Sequence, residues 1–172
     1  TLYEHQSDIV LFRGQRNNLL PKSIIIKKLF DNEVLLTVSP HHKLAKLKEV
    51  EFKKLDRLEV IKLKIPSGTQ RLIDEFEKNK EIKFITKFTL PEVESAKEAV
   101  LNNLGATFLS RLPIERELKN KTLIGIKLKD IDLQRPVMMA FHKNDINTVR
   151  IQNLIKCIQK VIKLYETNIT KA

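Results

Sequence analysis

Short runs of apolar and β-branched residues alternate along the chain with longer segments in which apolar positions recur every three to four residues. The short runs predict strands at Asp8–Phe12, Glu33–Val38, Leu58–Lys64, Ile82–Phe88, Ala106–Leu109, Leu123–Leu128 and Val137–Phe141. The longer segments predict helices at Thr69–Lys80, Glu92–Asn102, Ile114–Lys119 and Asn147–Glu166. In the last helix, the apolar stripe that predicts its buried face consists of Ile151, Leu154, Ile155, Ile158, Ile162 and Tyr165. Because strands alternate with helices, the pattern indicates an α/β fold with mostly parallel strand pairing.

Composition narrows the class of protein. The 172 residues are 42% hydrophobic and 31% charged, which is too apolar for a disordered chain and too polar for a membrane protein. The chain has a single cysteine, so neither an intramolecular disulfide nor a cysteine-rich metal cluster can form. The sequence therefore predicts a cytoplasmic domain of one compact unit or two small lobes, with no metal, no cofactor and no membrane contact.

The net charge of +11 suggests nucleic-acid binding, but its distribution does not support that interpretation. The lysines are dispersed, and neighbouring acids such as Glu49, Glu51 and Asp56 balance many of them. The sequence contains no basic run of five residues, no RNA-binding aromatic motif and no zinc finger. The charge therefore predicts a solvated, lysine-rich surface rather than a DNA-binding face.

Two predicted helices begin with the same capping pattern. Ser67-Gly68-Thr69-Gln70 and Thr89-Leu90-Pro91-Glu92 both fit S/T-x-x-E/Q, and each directly follows a predicted strand. The carboxyl ends of parallel strands and the N-termini of helices are where α/β proteins bind anions. Each pattern could equally do no more than cap its own helix. Ser110 has the same two interpretations, since it could cap the helix that follows Pro113.

Evidence for catalysis in the sequence is weak. His41 and His42 are adjacent, so they cannot share one helix face as zinc ligands do. Cys157 lies on the flank of an apolar helix and is predicted to be a packed, inert thiol. Asp130 and Asp132 lie in a segment that alternates like an exposed connection. With no nucleophile elbow or phosphate-binding glycine loop, the sequence does not predict an enzyme.

Five motifs follow one another along the chain: Asp8-Ile9-Val10-Leu11, the crossover from Asp31 to Ala45, the Ser67–Asp74 helix start, the Asn103–Ser110 segment, and Arg135-Pro136 before a returning strand. Their order resembles the effector-binding domain of LysR-type transcriptional regulators. A stretch spanning residues 94–118 is similar to the subgroup that regulates carbon-fixation genes. The resemblance implies an α/β, two-lobed periplasmic-binding-protein-like fold of type 2.

The family fold implies where the lobes divide. Residues 1–38 and 142–172 would form lobe one, and residues 39–141 would form lobe two. Two crossings, at Ser39-Pro40 and at Phe141-His142, would form a hinge. Compared with the family, lobe one would lack its first strand and helix.

The resemblance also implies a function and a set of partners. A small organic anion would bind between the lobes, and the protein would act as a homodimer or homotetramer. DNA would be bound only through a helix-turn-helix domain that this chain does not contain. An envelope solute-binding protein of an uptake system, or a small enzyme on the same two lobes, are the alternatives. The expected effector contacts are Arg13, Ser67, Gly68, Thr69, Thr89 and Ser110.

Overall fold

The computed structural model describes residue 2 and residues 6–14, 21–64 and 68–170. The predicted strands and helices are confirmed with shifted bounds, but the pattern missed the two-residue strand β3 and the part of β2 before Glu33. The strands are β1 Ile9–Arg13, β2 Ile24–Val38, β3 Glu49–Val50, β4 Glu59–Leu63, β5 Ile85–Leu90, β6 Thr107–Ser110, β7 Ile124–Leu128 and β8 Gln134–His142. The helices are α1 Gly68–Asn79, α2 Val93–Leu101, α3 Glu115–Lys119 and α4 Val149–Thr170.

The chain divides into two compact units. Unit 1 comprises Thr1–Asp31 and Pro136–Ala172, and unit 2 comprises Asn32–Arg135. Strands β2 and β8 each run through a division point without interruption. The units therefore divide inside continuous strands rather than at the turn residues that follow β2.

The residues expected to form the hinge lie inside the units. Ser39 is fully buried, and its hydroxyl donates to Asn103 Oδ1 at 3.0 Å, while Pro40 beside it is exposed. Phe141 is fully buried in unit 1, and the His142 ring N–H donates to the Leu2 carbonyl at 2.7 Å. Packing and hydrogen bonding therefore hold these positions within their own units, and hinge motion there stays a prediction.

Unit 2 contains strands of two sheets. In one, β4 pairs in parallel with β5, and an isolated parallel bridge joins Val60 of β4 to Ala106, just before β6. In the other, β3 is parallel to β7, whereas β2 is antiparallel to both β6 and β7. The expectation of mostly parallel pairing is thus wrong, because β1 and β8 are also antiparallel. β2 brings the chain into the unit, whereas β6 and β7 run in the opposite direction.

Aromatic side chains form the core of unit 2. Phe52 is fully buried, with its ring centroid 5.6 Å from that of Phe84 and 6.4 Å from that of Phe108. The Asp130 carboxylate accepts a hydrogen bond from the Phe52 backbone N–H at 2.8 Å. Asp130 therefore holds the short turn that presents Phe52 to the core, which is a structural role.

Unit 1 contains the antiparallel pair of β1 and β8, and α4 packs against this unit's core. Ile151 of α4 is buried with Met139 and Phe141, and Ile155 and Ile158 pack against the same cluster. Two expectations for this helix are wrong. Leu154, predicted for the buried stripe, is 41% exposed, and Cys157 is exposed rather than packed.

The turn after β2 contains a histidine whose protonation opposes folding. His42 Nδ1 accepts a hydrogen bond from the Leu44 backbone N–H at 3.2 Å. Burial, and then the charge of Lys43, hold the pKa of His42 below its ordinary value. The folded state thus favours the neutral ring, so the unfolded state binds more protons as the pH falls. The free energy of unfolding that depends on a neutral His42 ring is therefore fully present above about pH 6.5 and decreases as the pH falls below it.

We expect the urea midpoint of the chain to fall less steeply between about pH 7.5 and 5.5 in His42→Asn than in the unsubstituted chain. Asparagine can still accept the bond from the amide two residues on, but it does not titrate. The matched control is His41→Asn, because His41 is exposed. If the urea midpoint of His42→Asn falls with pH as steeply as that of the unsubstituted chain, His42 is not the group responsible.

Candidate functional site

Two buried hydroxyls meet at the start of α1. The helix begins at Gly68, and Thr69 and Ser110 are only 6% and 3% exposed. Thr69 Oγ1 lies 3.5 Å from Ser110 Oγ at the end of β6. The predicted site residues Gly68, Thr69 and Ser110 are therefore brought together, while Ser67 lies outside the described residues.

Arg135 completes this cluster. Its Nη1 donates to Thr69 Oγ1 at 3.2 Å, and a Cβ built on Gly68 would overlap its guanidinium. Glycine at position 68 thus leaves the space that the arginine occupies. The guanidinium and the partial positive charge of the helix N-terminus act in the same place, and both favour an anion.

The residue that sequence reasoning missed is Arg135. The sequence placed it only in a motif before a returning strand, because 66 positions separate it from Thr69. The available signal was a cation in the motif directly before a strand predicted to lead back to lobe one. We refer below to Gly68, Thr69, Ser110 and Arg135 as the α1 cluster.

Asn32 holds an unused buried donor on β2. Its Oδ1 accepts from the Leu112 backbone N–H at 3.1 Å, but its Nδ2 is buried and has no partner among the described residues. Asn32 lies two residues before Val34, which pairs with Ser110. Buried donors are normally paired, so this N–H is a place where water or a ligand atom can complete the pairing.

The predicted capping role of Thr89 is wrong. Thr89 lies within β5, opposite Lys62 of β4, and is exposed. The N-cap of α2 is Glu92, which forms a reciprocal capping box with Ser95. Pro91 disfavours a helical conformation at the residue before it, so the strand continues to Leu90 and the helix begins later. An effector contact by Thr89 stays a prediction.

The predicted cap by Ser110 is also wrong. The short helix that contains Pro113 is preceded by Arg111, and no side-chain cap bond forms there. The Arg111 guanidinium pairs with Glu115 at 3.1 Å and with Glu33 at 3.5 Å. The Ser110 hydroxyl lies beside Thr69 instead, as part of the α1 cluster.

Arg13 lies in unit 1. It is the last residue of β1, is exposed, and stands opposite Val137 of β8. Gly14 follows with φ +139°, a conformation that favours glycine, and its N–H donates to the Pro136 carbonyl at 3.0 Å. A role for Arg13 in effector binding stays a prediction.

An ion-pair network fixes α1 on the sheet. Burial alone would lower the pKa of Lys62, but hydrogen bonds from its ammonium to Glu77 at 3.0 Å and Asp74 at 3.1 Å outweigh burial and raise it. Lys62 thus stays charged and ties β4 to α1. The network positions the helix whose N-terminus carries the α1 cluster.

Within the described ranges, no group of three or more histidine, cysteine, aspartate or glutamate side chains is placed to hold a metal ion. The same residues include no helix that is both long and apolar enough to cross a membrane. What the α1 cluster offers is hydrogen-bond donors and positive charge.

Comparison with known proteins agrees with the fold and the motif order. The profile of the LysR substrate binding domain matches residues 1–163. A "Probable RuBisCO transcriptional regulator" of Cyanophora paradoxa is 28% identical over 142 residues, which cover 81% of this chain and 44% of that protein. The chain thus spans less than half the length of this relative.

Solved structures show the same fold at low identity. The regulatory domain of CcmR from Synechocystis PCC6803, solved in complex with 2-PG, has a TM-score of 0.77 and 16% identity. The alignment covers 94% of this chain and 76% of that one. The effector-binding domain of QuiR in complex with shikimate has a TM-score of 0.72 and 17% identity, with coverage of 94% and 75%.

Proposed function

Because the chain belongs to the LysR substrate-binding domain family, we propose that it is the ligand-sensing domain of a transcriptional regulator and that its ligand is a small organic anion. The observation that carries the proposal is the α1 cluster. It gathers two buried hydroxyls, a guanidinium and a helix N-terminus in one place.

The cluster suits an oxyanion for physical reasons. The first turn of a helix has backbone N–H groups without intrahelical partners and a partial positive charge. Arginine adds a planar fork that can bind a carboxylate or phosphate through two parallel bonds. A neutral ligand would use the hydroxyls but would gain no attraction from the positive charge.

Ligand binding would act by shifting a conformational equilibrium. An effector that binds one arrangement of the two units more tightly than another favours that arrangement in proportion to the difference in affinity. Arg13, Ser67 and Thr89 are the proposed additional contacts, and the residues around Ser39-Pro40 and Phe141-His142 the proposed hinge. Contacts within a homodimer or homotetramer would pass the change to a helix-turn-helix domain outside this chain.

The alternative of an envelope solute-binding protein has less support. The similar curated proteins are named transcriptional regulators, including several named as RuBisCO regulators. This naming favours a regulator over an uptake protein. It also supports the proposal, made from residues 94–118, that the regulator controls carbon-fixation genes. The other alternative, a small enzyme on the same two lobes, would consume its ligand, whereas a regulator only binds it.

Removing the Thr69 hydroxyl should weaken anion binding. We expect Thr69→Val to lose about 1.5–3 kcal/mol of binding free energy, the usual contribution of a hydrogen bond to a charged group. Thr69→Ser, which keeps the hydroxyl, should retain most of the affinity. Calorimetric titration with 2-PG and with shikimate, the ligands of the two structural neighbours, is the measurement.

The control is Thr86→Val, because Thr86 is an exposed threonine of β5. If Thr69→Val and Thr86→Val bind the anion equally well, the α1 cluster is not the ligand site. If a neutral analogue of the same size binds as tightly as the anion, the ligand class is wrong.

A further inference from the structure

Helix α4 carries apolar side chains over a wider arc than unit 1 covers. Its buried stripe consists of isoleucines that pack on the unit's core. A second apolar stripe lies beside it, with Leu154, Val161 and Leu164 exposed by 41%, 64% and 58%. At about 100° per residue, the second stripe is centred roughly a quarter-turn round from the first. Large apolar side chains that remain exposed in a row mark a contact surface.

The spacing of this second stripe fits another helix. Leu154, Cys157, Val161 and Leu164 follow one another at intervals of three, four and three residues, and Cys157 is exposed. Alternating intervals of this kind create the seam along which two helices interlock their side chains. We call these four residues the outer seam.

The far border of the outer seam is basic. The side chains of Lys156, Lys160 and Lys163 are exposed, and no ion pair joins them to a side chain that the structure describes. Helical periodicity places the three lysines in one column. Going round the helix from the buried stripe, the outer seam comes first and the lysine column follows it. A partner in the seam would therefore lie against a column of positive charge.

We propose that the outer seam is a docking site for an acidic amphipathic helix of another protein. An apolar stripe on that helix would cover Leu154, Cys157, Val161 and Leu164. Glutamates or aspartates along its border would pair with Lys156, Lys160 and Lys163. The proposal rests on α4 alone and is independent of the ligand site on α1.

Charge argues against a second copy as the occupant. In an antiparallel pair of α4 helices, the same border of each helix faces its counterpart, so the lysine columns would oppose each other. A lipid surface is also a poorer fit, because half of the apolar arc of α4 is already packed against its own unit. Each of these occupants is an outcome of the test.

The test uses the 172-residue chain and a pair of synthetic helical peptides of about 21 residues, three heptads. Both peptides carry leucine at the seam positions, with glutamate at the flanking positions of one and lysine in the other. A bimane label on Cys157, the chain's only cysteine, reports contact at the seam. Calorimetry on the unlabelled chain gives the affinity.

We expect the glutamate peptide to bind at least about tenfold more tightly than the lysine peptide at low salt, and to shift the bimane emission to the blue. Val161→Asp should abolish the shift, whereas Leu47→Asp, at an exposed leucine of unit 2, should not. Reversing the three lysines to glutamate should reverse the peptide preference. Both substituted positions are exposed, so circular dichroism should show unchanged folding.

Three results would overturn the proposal. The first is equal binding, or no binding, of the two peptides. The second is self-association of the chain that Val161→Asp abolishes, as measured by sedimentation, because the occupant is then a second copy. The third is binding to phosphatidylserine vesicles without binding to the glutamate peptide.

Discussion

Phe52→Ala should lower the free energy of unfolding of unit 2 by about 3–5 kcal/mol, the usual cost of deleting a buried phenylalanine side chain. Phe52 is fully buried, and the rings of Phe76, Phe84 and Phe108 all lie around it. Its removal leaves a cavity that several neighbours line, and the β-sheet behind them limits how far they can collapse. Urea denaturation followed by far-ultraviolet circular dichroism is the measurement, since the chain has no tryptophan.

The matched control is Phe88→Ala. Phe88 is a phenylalanine of the same unit, but it lies on β5 and is 40% exposed. We expect this change to cost well under half as much as Phe52→Ala, because the side chain is already partly hydrated. Equal losses in the two variants would show that the Phe52 cluster is not the centre of the core.

Arg135→Gln should weaken anion binding at least as much as any other single substitution in the α1 cluster. Gln removes the positive charge but keeps a hydrogen-bond donor, so the loss isolates the charge-assisted bond, worth about 1.5–3 kcal/mol. That loss corresponds to a decrease in affinity of roughly 10- to 150-fold. The affinity of Arg135→Lys should lie between that of Arg135→Gln and that of the unsubstituted chain, since an ammonium keeps the charge but not the planar fork.

Arg71→Gln is the control for Arg135→Gln. Arg71 lies on the exposed side of the same helix, so its removal changes the net charge equally without touching the α1 cluster. If the two variants lose affinity equally, the loss is caused by the change in the overall charge of the domain and not by a contact that Arg135 forms with the anion. Calorimetric titration with 2-PG distinguishes the two cases.

The fold was largely predictable because hydrophobic periodicity reports which face of each element is buried. The stripe of α4 illustrates both the strength and the limit of that signal. Periodicity placed Ile151, Ile155 and Ile158 inward, as the structure shows. It also placed Leu154 inward and Cys157 in a packed position, because a sequence does not show how much of an apolar arc finds a partner.

The candidate site was only half predictable. The capping pattern at the start of α1 pointed to Thr69, and the family resemblance added Ser110. The same pattern misled at Thr89, where β-pairing with Lys62 and the effect of Pro91 keep the residue in a strand. Arg135 could not be found locally, since only the path of β8 brings it to α1.

The order of the two units along the chain has a consequence for its synthesis on the ribosome. Unit 2 is one continuous stretch, Asn32–Arg135, so it can fold as soon as it emerges. β1 emerges earlier, but its partner residues in β8 are made about 130 residues later, a delay of roughly 6–26 s at typical rates of translation. During that time the apolar strand Ile9–Arg13 has no partner in β8. Slow translation of the middle of the message would prolong the period in which nascent chains can aggregate through this strand.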